Sequence, residues 1–363
     1  MKHQLKLFTA GPVACFPEVL QVMSSQMFSH RSPEYQELHS ETVELLKEFL
    51  ETKQTVLLVP SSGTGLMEAS IRNAVSPNGK VLVTVIGEFG ERYAKVVESN
   101  GRTAIRLKFD LGDPVNEEKL KEALDKYQDV EAVTITHNET STGVLNDLPR
   151  LAQIVHKYGK LCFVDAVSSC GGTEIKFDEW KIDFLFTSSQ KALGIPPGLA
   201  FCAVSDKVLE VAEKIPNRGY YFDLLLYVKE QKERKSTPTT PPIPQIMGLN
   251  VMLKKIKSMG KENWFHIYKR RAEKIRKGVL DMGLRLLAKP GYESPTITCV
   301  LTPEGVGPKI YEKMRDRGFE LAAGYGELKN RSFRIGHMGY ILDEDIDAML
   351  NTLESVLREL NVI

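Results

Sequence analysis

The sequence predicts an α/β protein with a mostly parallel seven-stranded sheet in a large domain, followed by a smaller α+β domain. Between about Thr55 and Val204, short apolar runs alternate with amphipathic helical patterns, as in sheets built from βαβ units. The chain has 363 residues, 42% hydrophobic and 26% charged, which is enough for one large core and a second, smaller one.

The large sheet is predicted from seven short apolar runs, and helical patterns separate most of them. The predicted helices include Leu66–Ala74, Glu117–Tyr127 and Leu148–Tyr158. The predicted strands are Thr55–Val59, Lys80–Ile86, Thr103–Lys108, Ala132–Thr136, Leu161–Val164, Phe184–Thr187 and Leu199–Val204.

A change of composition after Tyr227 predicts a connection between domains or a functional loop. The charged run Lys229–Lys235 leads into the Pro/Thr segment Ser236–Pro244, where proline ends regular structure. We expect an N-terminal arm at 1–17, a large domain at 18–250 and a small domain at 251–363. The small domain is predicted from a helical pattern at Ile246–Met282, a strand at Thr296–Leu301, a helix at Gly307–Arg317, strands near Phe319–Ala322 and at Ser332–Ile335, and a helix at Asp343–Leu360.

Charge and cysteine usage exclude several classes of protein. Lys and Arg total 48 against 47 Asp and Glu, so no broad basic surface is available for nucleic acid. The five cysteines have neither the spacing of a zinc site nor that of a disulfide framework. Met1–Thr9 lacks the apolar stretch of a signal peptide, and no run reaches bilayer length. We therefore expect a cytoplasmic protein with no membrane or nucleic-acid partner and no metal.

The turn after the first strand of the sheet has the composition of a phosphate-binding turn. Pro60–Gly65 supplies small residues, two hydroxyls and the positive end of a helix. It lacks the Gly-Lys-Ser/Thr ending of a P-loop. A dinucleotide turn with Glu88 on a ribose, or a plain helix cap by Ser61 or Ser62, remain alternatives.

Two further turns place a carboxylate and a lysine at the same edge of the predicted sheet. Asp165 follows the strand Leu161–Val164, and Lys191 follows Phe184–Thr187 after Ser-Ser-Gln. A pyridoxal phosphate (PLP) enzyme needs a Schiff-base lysine and a carboxylate that keeps the pyridine nitrogen protonated. Either residue alone would be read as a surface lysine or a turn aspartate, so the prediction depends on the pair.

Three other features add to this site. The loop His137–Gly143 is rich in hydroxyls that can hold a cofactor ring or its phenolic oxygen. Phe89 lies just past a strand and can stack on a flat ring. Arg334 lies inside the apolar strand Ser332–Ile335 and should therefore have an anionic partner, either a substrate carboxylate or a structural one.

These residues resemble the class V aminotransferases of PLP fold type I, and within them the alanine–glyoxylate and serine–pyruvate or serine–glyoxylate group. The similarity runs over nearly the whole chain. Its markers are Thr9-Ala-Gly-Pro12, His30-Arg-Ser-Pro-Glu-Tyr35, Ser62-Gly-Thr-Gly65, His137-Asn-Glu-Thr-Ser-Thr-Gly143, Val164-Asp-Ala-Val-Ser-Ser169, Ser189-Gln-Lys-Ala192, Thr240-Pro-Pro242 and Phe333-Arg-Ile-Gly336.

The resemblance implies a role for each matching residue. Lys191 and Asp165 would be catalytic, Arg334 and Gly11 would bind substrate, and Thr240 would act across a homodimer with shared active sites. Relatives with tyrosine in place of Thr237 leave a second such contact in doubt. The cofactor-binding set would be Ser62, Gly63, Thr64, Phe89, Thr140, Asp165, Val167, Gln190, Lys191 and Thr240.

The expected reaction is ping-pong transfer of an amino group from alanine, serine or aspartate to a 2-oxo acid such as glyoxylate or pyruvate. Side-chain recognition would depend on loops such as Ala323–Leu328. Arg31 could bind a second carboxylate from across the dimer interface, although a structural ion pair is its expected role. One alternative is a lyase of the same fold, such as a cysteine desulfurase, although Cys299 lies in a β pattern and not in a loop. A nicotinamide-dependent dehydrogenase is a more distant alternative.

Overall fold

The computed structural model describes residues 5–363, and residues 1–4 of the expected N-terminal arm lie outside this range. The strands are β1 Lys6–Leu7, β2 Thr55–Val59, β3 Lys80–Val85, β4 Thr103–Lys108, β5 Val130–Thr136, β6 Asn138–Glu139, β7 Val144–Leu145, β8 Leu161–Asp165, β9 Phe184–Ser188, β10 Ala200–Val204, β11 Arg285–Leu286, β12 Ile297–Leu301, β13 Phe319–Glu320, β14 Ala322–Ala323 and β15 Ser332–Gly336. The helices are α1 Pro17–Met23, α2 Pro33–Leu50, α3 Gly63–Ala74, α4 Glu88–Ser99, α5 Glu117–Lys126, α6 Leu148–Lys157, α7 Asp206–Lys214, α8 Leu224–Arg234, α9 Ile243–Met259, α10 Lys261–Asp281, α11 Val306–Asp316 and α12 Asp343–Glu359, with a 3₁₀ turn at Gly326–Leu328.

The large sheet contains seven strands in the order β2-β10-β9-β8-β5-β3-β4. Only β10 runs against its neighbours, because it pairs antiparallel with both β2 and β9. The other six strands run in one direction, so their carboxyl ends lie along one edge of the sheet. Turns from distant parts of the sequence are thereby brought together at that edge.

Helices cover both faces of the large sheet. One apolar cluster contains residues of α2, α5, α6 and α9, and a second contains residues of α3, α4, α7 and α8. Strands buried on both faces have nearly continuous apolar sequences, as in the Phe184–Ser188 strand, whose five residues are all buried. This explains why six of the seven strands could be predicted from apolar runs. The exception is the edge strand β4, none of whose residues is buried.

A smaller four-stranded antiparallel sheet, β11-β12-β15-β14, lies against α10 and α11, and α12 packs on these two helices. The segment that begins at β1 joins this unit, because β1 pairs in parallel with β13. The N–H of Gly336 then donates to the carbonyl of Phe8 at 2.7 Å. The segment that follows β1 is thus directed toward the carboxyl edge of the large sheet.

Three sequence predictions are wrong in detail. The single helical pattern Ile246–Met282 is two helices, because the chain turns at Gly260, whose φ of +85° favours glycine. Most of the charged run Lys229–Lys235 belongs to α8 and is not part of a connection. The strand expected near Phe319–Ala322 is divided between β13 and β14, which belong to different sheets.

None of the described helices combines the length and apolar character needed to cross a bilayer.

Candidate functional site

Lys191 lies three residues past the end of β9 and is buried, with 8% of its surface exposed. Its Nζ donates a hydrogen bond to the carbonyl oxygen of Ala10, in the segment that follows β1. The next residue, Gly11, has a φ of +113°, and a Cβ there would lie 2.7 Å from Lys191 Cδ. Glycine is therefore required at this position both by the backbone and by the lysine side chain.

The charges around Lys191 favour its neutral amine. Burial and, to a smaller extent, the nearby Arg334 cation lower its pKa to about 8, while Asp165 opposes both effects. Loss of the proton converts an inert ammonium into a nucleophile and a proton acceptor. An amine with this pKa can form a covalent bond to a carbonyl cofactor near neutral pH.

Asp165 ends β8 at the same edge of the sheet and is almost fully buried. Its Oδ1 accepts a hydrogen bond of 2.9 Å from the N–H of Val167, while Oδ2 accepts none from the residues that the structure describes. Burial raises the pKa of this carboxyl to about 7. A cationic N–H beside Oδ2 would stabilise the ionised form, so this carboxyl suits a protonated pyridine nitrogen.

The N-terminus of α3 has free hydrogen-bonding groups. Ser62 is the N-cap residue, yet its side chain makes no capping hydrogen bond and is exposed. A Cβ on Gly63 would lie 2.4 Å from Val167 Cγ2 and 3.4 Å from Ser188 Oγ, so Val167 and Ser188 both pack against this turn. The buried Ser188 hydroxyl has no partner in the described part of the chain. This end of the helix can bind a phosphate.

Phe89 lies in the first turn of α4 and is half-buried. Its ring is stacked with that of Tyr325, with centroids 6.2 Å apart, and the Arg92 guanidinium lies 4.6 Å from its centroid. Thr140, in the loop after β5, is buried, and its hydroxyl is hydrogen-bonded to that of Ser168. Both predicted ring contacts thus belong to turns at the carboxyl edge of the large sheet.

Arg334 projects from β15 of the small sheet and is buried, although it forms no ion pair with a described carboxylate. Its Nε and Nη2 donate to the carbonyl of Ala323 at 3.0 and 2.9 Å, and its Nη1 donates to the carbonyl of Thr140 at 3.0 Å. A guanidinium has five N–H donors, so two remain. These two can bind a carboxylate in the forked geometry that arginine favours.

The remaining predicted site residues make fewer contacts. Thr64 is exposed in the first turn of α3, and Gln190 is half-buried beside Lys191. Thr240 is exposed in the Pro/Thr loop, and no hydrogen bond within the described chain ties it to the other site residues. Its exposure leaves it available to a second subunit.

Some residues of this site had no separate signal in the sequence. The backbone carbonyl of Ala10 and the hydroxyl of Ser168 take part only through the fold, since each bonds to a residue distant in sequence. Ser188 could be recognised as a polar residue at the end of an apolar strand, but the sequence alone gave no reason to prefer it to the neighbouring Ser189.

The thiol that a desulfurase would need is unfavourable here. Cys299 lies within β12 and is buried. Burial raises the pKa of its thiol to about 11, so it is protonated at neutral pH.

Across residues 5–363, no three His, Cys, Asp or Glu side chains are grouped so as to hold a metal ion.

The residues present fit PLP. The Lys191 amine, whose pKa is lowered, matches the aldehyde of that cofactor. The buried Asp165 carboxyl, which has no cationic partner among the described residues, matches the pyridine nitrogen. The unpartnered Ser188 hydroxyl matches the phosphate. PLP supplies the electron sink for reactions at the α-carbon of amino acids. Glycine at 11 and 63 lets the backbone pass close to Lys191 and Val167, since a Cβ would lie 2.7 Å from Lys191 Cδ or 2.4 Å from Val167 Cγ2.

Comparison with known proteins agrees with this chemistry. The model of the family described as aminotransferase class V matches residues 7–327. An uncharacterized aminotransferase of Methanocaldococcus jannaschii is 39% identical, over 98% of this chain and 93% of the relative. An L-aspartate–glyoxylate aminotransferase of Paracoccus denitrificans is 33% identical, over 100% of this chain and 93% of the relative.

The solved structures include an alanine–glyoxylate aminotransferase from Nostoc sp. that is 30% identical and superposes with a TM-score of 0.93. The match covers 99% of this chain and 96% of the Nostoc chain. The family model and these similarities lead to the same conclusion as the site itself. The chain belongs to the class V aminotransferase family and is a PLP-dependent aminotransferase of fold type I.

Proposed function

We propose that this aminotransferase moves the amino group of a small amino acid, namely alanine, serine or aspartate, to a 2-oxo acid such as glyoxylate or pyruvate by a ping-pong mechanism. The observation that carries this proposal is the buried Arg334, which has two N–H donors without a partner in the described chain and whose charge lowers the pKa of the Lys191 amine. Every α-amino acid and 2-oxo acid has a carboxylate next to the reacting carbon. An arginine that can bind a carboxylate through two N–H groups, in the same site as a basic amine, suits this shared feature.

Each site residue then has one task. Lys191 would hold the aldehyde of the cofactor, and its amine would accept the proton of the substrate α-carbon and donate a proton back when the product forms. Asp165 would hold the pyridine nitrogen in its protonated form, and Arg334 would orient the substrate through its carboxylate. Phe89 and Val167 would contact the two faces of the ring, and Thr140 would lie near its hydroxyl.

The phosphate would be bound by the N-terminus of α3. Ser62, Gly63 and Thr64 would supply backbone and hydroxyl donors there, and Gln190 and Ser188 would add side chains. The free Ser62 hydroxyl and the unpartnered Ser188 hydroxyl support this assignment. The positive end of the helix dipole stabilises the doubly charged group further.

We also propose a homodimer in which Thr240 of each subunit reaches the phosphate of the other. Thr240 is exposed, and the apolar side chains of Met27 and Tyr220 are 57% and 73% exposed. Methionine and aromatic side chains are enriched at protein–protein interfaces relative to the rest of the surface. We further propose the division expected from the sequence, with an arm at 1–17, a large domain at 18–250 and a small domain at 251–363. We also propose a cytoplasmic location.

The test is a single-donor experiment without acceptor. The holoenzyme is mixed in turn with alanine, serine, aspartate and cysteine, and the released products are quantified. A ping-pong aminotransferase releases one equivalent of 2-oxo acid per site and then stops until glyoxylate or pyruvate is added. Continuous release of sulfide from cysteine would show a lyase, and no release from alanine, serine or aspartate would refute the proposed donors.

A further inference from the structure

A buried carboxylate beside the site has no role in the function proposed above. Glu139 lies in β6, within the loop that follows β5, and none of its surface is exposed. Its Oε2 accepts hydrogen bonds from the N–H groups of Phe89 and Gly90 at 3.1 and 3.2 Å. Its Oε1 accepts from the N–H and the hydroxyl of Ser141 at 3.0 and 2.6 Å.

All four of these partners donate to Glu139. The Ser141 hydroxyl is itself an acceptor for the N–H of Glu88 at 3.0 Å, so its single proton is free to point at the carboxylate. Burial raises the pKa of Glu139, while the hydrogen bonds from Ser141, Gly90 and Phe89 oppose that rise. Four donors, and no acceptor for a carboxyl proton other than the Ser141 hydroxyl among the described residues, favour the ionised form of Glu139 against the effect of burial.

The position of this carboxylate links two parts of the cofactor site. On one side it fixes the first turn of α4, at the positive end of that helix, and Phe89 belongs to that turn. On the other side the chain continues directly into Thr140, whose carbonyl accepts from Arg334 Nη1. Space is tight, since a Cβ on Gly87 would lie 2.6 Å from Glu139 Cγ.

We propose that Glu139 is a positioning residue for transamination, whose ionised carboxylate fixes the Phe89 ring relative to the loop that carries Thr140. The proposal rests on the functions proposed for Phe89 and Thr140. In this role Glu139 acts through Phe89 and Thr140, not through a contact of its own with substrate or cofactor. Without its charge, the first turn of α4 would lose its anchor and the ring-binding surfaces would shift relative to each other.

The test compares Glu139→Gln with a matched buried carboxylate. Asp183 also accepts a backbone N–H, that of Cys162 at 2.9 Å, and a serine hydroxyl, that of Ser205 at 3.0 Å. It precedes β9, at the opposite edge of the sheet from the site. Asp183→Asn therefore removes a similar carboxylate without touching the cofactor site.

Two measurements on the protein with bound PLP are made on both variants: visible circular dichroism, which reports ring orientation, and the dissociation constant of PLP. In Glu139→Gln the amide N–H₂ faces donors in either orientation. We expect a changed dichroic band and a dissociation constant raised about 10-fold or more, the equivalent of one hydrogen bond to a charged group. Asp183→Asn should lower Tm but leave both measurements at the wild-type value.

Ser141→Ala gives an independent test if Glu139→Gln does not fold. It keeps the charge but removes the 2.6 Å hydrogen bond, so a smaller shift in the same direction is expected. Wild-type dichroism and affinity in either site variant, or equal changes in Asp183→Asn, would overturn the proposal. The covalent attachment of PLP at Lys191 is measured separately, so a failure of the proposed function is distinguishable from a failure at Glu139.

Discussion

The Nη1 of Arg334 donates a hydrogen bond to the carbonyl oxygen of Thr140, 3.0 Å away and 194 residues earlier in the sequence. The small sheet and the large sheet thus meet at the position where a substrate carboxylate would bind. The same contact holds the Arg334 guanidinium beside the turns that follow the strands of the large sheet. The side chain proposed to bind the substrate carboxylate thus also contributes a contact between the two sheets.

Arg334→Lys should lower kcat/KM for every amino donor, because lysine keeps the charge but loses the forked geometry. A hydrogen bond to a charged group contributes roughly 1.5–3 kcal/mol, so the expected loss is about 10- to 150-fold. Arg276→Lys is the matched control, since Arg276 is also partly buried and donates to a backbone carbonyl, that of Ser294 at 2.9 Å. Equal losses in both variants would contradict the assignment of Arg334.

Asp165→Asn should bind PLP but lose most of its turnover. The amide cannot stabilise a positive charge on the pyridine nitrogen, and the lost charge-assisted hydrogen bond corresponds to roughly 10- to 150-fold in kcat. Steady-state kinetics and PLP titration measure the two effects separately. The carboxylate assignment is rejected if turnover in this variant equals that of the wild type.

Gly11→Ala should impair the covalent attachment of PLP, because the new Cβ would lie 2.7 Å from Lys191 Cδ. Gly283→Ala is the control, since Gly283 has a φ of +79° and open space around it. Both variants force alanine into a left-handed conformation at a cost of about 1–2 kcal/mol, and both should lower Tm. Only Gly11→Ala should also lose visible absorbance, and normal absorbance would show that Lys191 tolerates the methyl group.

The Lys191 amine of the apoprotein should react with PLP with a midpoint near pH 8. Because its pKa is lowered from the usual value of 10.5 to about 8, the neutral amine predominates above pH 8 and the ammonium below it. The rate of the visible absorbance change, measured from pH 6 to pH 10, gives this midpoint. Replacing Arg334 by Gln removes a neighbouring cation and should raise the midpoint, and a wild-type midpoint near 10.5 would contradict the burial argument.

The large sheet was predictable from sequence because most of its strands are buried on both faces, with the edge strand β4 as the exception. Each of its seven strands overlaps a predicted apolar run, and Asp165 and Lys191 could be assigned to turns at a single edge from the direction of those strands. The break at Gly260 was missed because the helical periodicity continues on both sides of it. A positive φ is a property of the backbone, and glycine permits but does not require it.

Contacts between distant segments could not be predicted in the same way. The bond from Lys191 to the Ala10 carbonyl uses a backbone atom that every residue possesses. Glu139 was one polar residue in a polar loop, and its burial is visible only once α4 packs over it. The sequence therefore indicated which chemical groups are present, while their pairing depends on the tertiary structure.

The most direct test of the central claim is to locate the lysine that bonds to PLP. The holoenzyme is reduced with borohydride, digested and analysed by mass spectrometry, with Lys191→Ala treated in parallel. We expect the phosphopyridoxyl group on the peptide that contains Lys191 and nowhere in the variant. A reduced cofactor on another lysine, or its persistence in Lys191→Ala, would contradict the site described here.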